Sequence, residues 1–242
     1  MVKLINLQRS VIPACDVNTL DKLGQIAVAT SGLPGIGAYK VGLELVLPFG
    51  LPRVVEEIKT RANLPVIYDH QKGATDIPAL GVKFAKAVKS AAADAVILFP
   101  FGGAATEEAW IKACQDEGLV VLVGGHMTQD KFLEREEGFI ADFGPERIYQ
   151  IASDNEVTDF VVPGNKAPLV FKYRQLLENL LGEENFVLYA PGFIEQGGNI
   201  AEAGKAAGPN WHAIVGSAIY KVETVDDMRK AAIEITSQIA GE

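Results

Sequence analysis

The sequence is poor in the residues that usually announce cofactor or covalent chemistry. It has two cysteines and three histidines in 242 residues. Cys15 and Cys114 each lie in an apolar, periodic segment, which fits reduced, buried thiols rather than a disulfide framework or a nucleophile. His70, His126 and His212 are far apart, without the H-E-x-x-H spacing that sets two imidazoles on one helix face, so zinc chemistry is excluded and no metal is expected. A G-x-S-x-G elbow and a G-x-x-x-x-G-K-[ST] loop are both missing. Apolar runs stay well short of the roughly 18 residues that span a bilayer, and MVKLINLQRS leads directly into a strand-like stretch, so a cytoplasmic protein without membrane contact is expected. Basic residues are also scarce: 22 Lys and Arg stand against 31 Asp and Glu, a net charge of -9. With no basic cluster, nucleic acid is excluded as a partner, and any phosphate must be gripped locally.

What is present is a repeat of short apolar runs, polar or Gly-rich loops and helix-period segments. Hydrophobic residues make up 48% of the chain, enough for a continuous core. Strands are predicted at Val11–Cys15, Ala38–Gly42, Val66–Asp69, Ala95–Phe99, Val120–Gly124, Phe160–Pro163, Phe186–Ala190 and Ala213–Gly216. Helices are predicted at Leu51–Arg61, Gly81–Ala92, Thr106–Asp116, Gln129–Glu137, Leu169–Leu181 and Val225–Ile239. Runs such as VVLVGG are apolar at every position, as suits parallel strands covered on both faces. No linker or change of composition interrupts them. The expectation is one α/β domain over residues 1–242, a (β/α)8 TIM barrel; an open doubly wound sheet, which shares the alternation, is the structural rival.

Charged residues fall at the ends of the first three strands: Asp16 in VIPACD, Lys40 in GAYKVG, and Asp69, Lys72 and Asp76 in VIYDHQKGATDIP. In a closed barrel all five share one rim. Taken singly, Asp16 reads equally as the N-cap of a following helix and Lys40 as a lysine reaching for water. Together they form an array of alternating sign in a low-dielectric mouth, where such groups shift one another's pKa and act on charge developing between them. A structural salt-bridge network is the competing reading. After the seventh strand comes YAPGFIEQGGN and around the eighth HAIVGSAIY, the sector where barrels of this kind commonly bind phosphate through backbone N–H groups. Thr128, after the fifth strand, is either a rim hydroxyl or a helix cap.

These residues resemble those of the orotidine 5′-monophosphate decarboxylase family, from Asp16 to the VGSAIY of the last strand. The resemblance implies a homodimeric barrel that converts orotidine monophosphate to uridine monophosphate without metal or organic cofactor. It implies that Asp16 and Lys40 contact the ribose, that Asp69 lies beside the substrate carboxylate, and that Lys72 protonates the C6 carbanion. Asp76 then reaches across the dimer interface, completing the partner's site. Thr128 matches the residue that bonds the pyrimidine, and Pro191 and Gln196 match the loop whose glutamine contacts phosphate. Gly216 and Ser217 match the end of the phosphate site.

Two departures stand out. The family's D-x-K-x-x-D is here D-x-x-K-x-x-x-D, one residue longer on each side of the lysine, which a β-bulge would absorb. Ser217 stands where the family carries an arginine, and a hydroxyl does not replace a charge-assisted bidentate grip; backbone N–H groups, Gln196 and Lys205 or Lys221 are the candidates to compensate. Magnesium-dependent sugar-phosphate decarboxylases and aldolases of the same superfamily are similar, but Lys40 occupies the position where they carry an acidic residue. A nucleotide-binding relative without turnover is the non-enzymatic alternative.

Overall fold

Apolar runs without alternation need cover on both faces, and each receives it: VVLVG, for example, is buried from its second residue onward. The computed structural model describes residues 3–193 and 197–240, with the backbone alone at 71, 72 and 240. Its strands are β1 (Arg9–Pro13), β2 (Tyr39–Val41), β3 (Val66–Gly73), β4 (Ala95–Leu98), β5 (Val120–Gly124), β6 (Asp159–Val161), β7 (Val187–Pro191) and β8 (Trp211–Val215). All pairings are parallel, in the order β1-β8-β7-β6-β5-β4-β3-β2. Parallel bridges Val11↔Ile36 and Ala14↔Lys40 join β1 to the β2 segment and close the ring. The open doubly wound alternative is thereby excluded, and all eight expected strands overlap observed ones.

The helices are α1 (Leu20–Thr30), α2 (Leu43–Phe49), α3 (Leu51–Lys59), α4 (Gly81–Ser90), α5 (Ala104–Asp116), α6 (Gly144–Asp154), α7 (Ala167–Leu181), α8 (Ile200–Ala207), α9 (Ser217–Tyr220) and α10 (Val225–Ala240). Among the described residues, no helix is long and apolar enough to cross a membrane. One predicted helix is absent. Residues 129–137 form a loop ending in a 3-10 turn, Glu134–Glu136, and the next α-helix starts only at Gly144. The segment has helix-forming composition, but its buried Phe132 packs its ring against His126 and Phe101. Glu136 meanwhile accepts from the Phe132 and Leu133 amides, satisfying them outside a helix. Tertiary burial overrides local propensity here. Helices α1, α2, α6, α8 and α9 were not foreseen.

Strand residues alternate between two cores, the period-2 consequence of strand geometry. One set, including Ile12, Ile67, Ile97, Leu122 and Ile214, fills the barrel interior. The other, including Val11, Val41, Val96, Val123 and Val215, meets the helices. Near the amino-terminal strand ends the interior turns polar but paired: Ser10 bonds His212 at 2.7 Å, and Tyr189 donates to Asp159 at 2.7 Å. With that end sealed, open space collects at the carboxyl ends.

Candidate active site

A cavity of about 390 Å³ opens there. Inward strand residues Ile97, Val161 and Ile214 with the ring of Phe99 make its apolar wall. Gly124 makes room for that ring, because a Cβ at this position would lie 2.3 Å from the Phe99 ring.

Asp16, Lys40 and Asp69 line the cavity together. The Lys40 ammonium donates to both Asp16 carboxylate oxygens, at 3.0 and 3.1 Å, and to Asp69 at 3.3 Å. Its side chain is 6% exposed, against 33% for Asp16 and 17% for Asp69. Burial alone pushes the ammonium pKa down; the charges of Asp69 and then Asp16 outweigh it and raise the pKa to about 12. Lys40 is therefore a fixed buried cation, not a lysine reaching for water. The N-cap reading of Asp16 also falls, since Thr19 caps α1 by accepting from the Lys22 amide at 3.2 Å.

A bulge lies within the first half of the stretched motif. Asp69 registers with Ile97 and Gly73 with the very next residue, Leu98, so that residues 70–72 leave the ladder. Lys72 has its backbone in β3; its side chain lies outside the described part of the structure, as does Gln196. Asp76 is exposed and accepts from the Ile77 amide at 2.7 Å, and it does not line the cavity of its own chain.

Thr128, Pro191, Gly216 and Ser217 all line the cavity. Thr128 caps no helix, for α6 begins sixteen residues later. Tyr220 and Phe193, not singled out in the sequence, complete the β7–β8 side.

His126 was seen only as a scattered histidine, yet it is buried in the cavity wall. Its Nδ1 pairs with the Tyr173 hydroxyl at 2.7 Å, while Nε2 has no partner among the described residues. Burial, then the charge of Lys166, lowers its pKa to about 4, so the ring is neutral at physiological pH. No spacing motif marks such a residue; only its position after β5 would have done so. Among the described residues, no group of three or more His, Cys, Asp or Glu is placed to hold a metal ion.

The site is thus a carboxyl-end barrel cavity with a carboxylate–ammonium–carboxylate array around the buried Lys40 on one side and, on the other, a Gly-containing sector with no cation among its described lining residues. Comparison with known proteins gives consistent matches. The family model described as "Orotidine 5'-phosphate decarboxylase / HUMPS family" matches residues 9–232. The orotidine 5'-phosphate decarboxylase of Methanosarcina barkeri is 31% identical over 231 residues, covering 96% of this chain and 95% of the relative. That of Pyrococcus abyssi is 29% identical over 232 residues, covering 96% and 100%. The crystal structure of orotidine 5'-phosphate decarboxylase from Pyrococcus horikoshii OT3 gives a TM-score of 0.77 at 25% identity, covering 96% of this chain and 100% of that one. The Methanocaldococcus jannaschii decarboxylase complexed with inhibitor BMP gives 0.79 at 24% identity, covering 96% and 98%, a likeness of fold.

Proposed function

The chain belongs to the orotidine 5′-phosphate decarboxylase / HUMPS family, and from that premise we propose that it decarboxylates orotidine 5′-monophosphate to uridine 5′-monophosphate. The observation that carries this reading is the Asp16–Lys40–Asp69 array in the cavity, where two carboxylates and a permanently charged lysine meet at 3.0 to 3.3 Å.

In this reading the substrate carboxylate lies beside Asp69, whose negative charge opposes it, and the ribose hydroxyls bond Asp16 and Lys40. Carbon dioxide leaves, and the electron pair of the broken bond stays on C6 of the ring. The Lys72 ammonium stabilises that charge, then protonates the carbon. Lys40 holds Asp69 in place and limits the cost of two carboxylates so close together. Thr128 bonds the pyrimidine. The phosphate sits in the β7–β8 sector, against Pro191, Gln196 and the backbone at Gly216 and Ser217. Remote binding energy of this kind can serve the reacting carbon, so the serine in place of arginine weakens a grip that bears on turnover. The chemistry needs no metal or organic cofactor.

The reading also makes the protein a cytoplasmic homodimer in which Asp76 completes the partner's site. Support comes from its exposed position outside its own cavity and from the exposed Ile77 beside it. Two free, buried cysteines fit a reducing compartment.

The test is loss of orotate absorbance when the protein meets orotidine monophosphate in the presence of a chelator, beside a Lys72→Ala variant. Rapid loss that the variant abolishes is expected. Activity that appears only on a sugar phosphate, is stimulated by magnesium and is lost with chelator overturns the reading; uridine monophosphate binding without turnover does so too.

A further inference from the structure

His70 is the first residue of the β3 bulge, in the stretch between Asp69 and Lys72 that is one residue longer than D-x-K spacing. Strand alternation carries Asp69 into the cavity and sends Tyr68 and His70 the other way, toward α4, with Tyr68 buried and His70 exposed. The Tyr68 hydroxyl and His70 Nδ1 are hydrogen-bonded. Burial and then the charge of Asp69 raise the Tyr68 pKa to about 12, so the phenol keeps its proton and has it to share in this bond.

The His70 ring also stands edge-on to Phe84 of α4, with centroids 5.7 Å apart at 64°, and Phe84 packs on Trp110 of α5 at 4.8 Å. The same α5 holds the far end of the segment. Trp110 Nε1 donates to the Ile77 carbonyl at 3.1 Å, and Thr106 Oγ1 to the Asp76 carbonyl at 2.9 Å. Inside these anchors the chain doubles back tightly: a Cβ on Gly73 would meet His70 Cβ at 3.4 Å and the Ile97 carbonyl at 3.3 Å.

We propose that His70 is a positioning residue: by tying the start of the bulge to Tyr68 and Phe84, it fixes the backbone from which Lys72 springs and so makes the lengthened motif workable. This rests on the decarboxylase reading above. The residue does not line the cavity. Its contribution lies in placing Lys72, and a displacement of about 1 Å at a reacting group can cost on the order of 100-fold in rate.

The test compares wild type, His70→Ala, His70→Asn and Tyr68→Phe in steady-state kinetics with orotidine monophosphate, alongside amide hydrogen exchange across residues 66–76. Asparagine carries an acceptor Oδ1 at the same distance from Cβ as Nδ1. His70→Ala and Tyr68→Phe are expected to lower kcat about 10- to 100-fold with KM within about twofold of wild type. Both should speed exchange at 69–73, and His70→Asn should restore rate and protection together. An unchanged kcat in His70→Ala, or an equal loss in His70→Asn, overturns the proposal. A wild-type protein without turnover defeats the decarboxylase reading instead. In that case exchange alone decides: unchanged protection in His70→Ala sinks the anchoring role, and faster exchange reversed by Asn upholds it.

Discussion

The Lys40 ammonium stands 3.3 Å from Asp69 although Lys40 is registered opposite Ile67, two residues earlier on β3. The side chain leans along the strand toward the mouth, and there it also meets Asp16 from the loop after β1. One cation thus ties together the ends of three strands.

Removing that cation leaves two carboxylates facing each other. Lys40→Met is expected to lower stability by on the order of 2 kcal/mol, less than the 3–5 typical of a fully buried broken pair because Asp16 keeps partial access to water. Catalytic efficiency should fall by at least about 100-fold. Denaturant unfolding and steady-state kinetics on the same variant check both.

Asp76 offers a test of assembly. If each site needs Lys72 from one chain and Asp76 from the other, Lys72→Ala and Asp76→Ala are each inactive, yet a mixture refolded together regains about a quarter of wild-type activity, from one intact site in each hybrid dimer. An unrecovered mixture, with hybrid dimers verified, places Asp76 in its own chain's site.

Ser217→Arg should lower KM for orotidine monophosphate by about tenfold, by restoring a charge-assisted grip on phosphate. No gain in affinity means that the β7–β8 sector already binds the phosphate fully without an arginine.

Glu107, in the first turn of α5, is 1% exposed, and its Oε1 has no partner among the described residues. Burial and then Glu108 push its pKa from 4.5 up to about 8. Between those values the native state holds a proton that the unfolded chain has released, so stability falls as pH rises through this window. Glu107→Gln removes the dependence, and its stability advantage over wild type should grow up to about pH 8 and then level off, as followed by urea unfolding across pH.

The histidines work in the opposite direction. Burial, then nearby lysines, lowers His126 to about 4 and His212 to about 3, from 6.5. The unfolded chain binds protons that the folded one refuses, so stability is lost as pH falls below 6.5. In a Glu107→Gln background the loss should approach about 1.4 kcal/mol per pH unit for each histidine. Replacing His212 with Gln should halve that slope.

The barrel itself was legible in the sequence, because burial on both faces forces continuous apolar runs and a βα alternation that few folds share. Of the five rim charges, the convergence of Asp16, Lys40 and Asp69 was legible for the same reason: strand ends are easily located, and in a closed barrel they come together. Amide satisfaction and side-chain burial were not legible. They turned FLEREEG into a loop against His126 and Phe101 where local propensity favours helix, and they set His126 into the cavity wall without any spacing motif. The register of β3 against β4 also belongs to the tertiary structure alone. The sequence shows a motif that is two residues too long, but where a chain leaves its ladder depends on neighbours from other strands and helices: Ile97 and Leu98 alongside, Phe84 and Trp110 outside. Those contacts, distant in sequence, surround the bulge at residues 70–72, and Asp69 still faces Lys40.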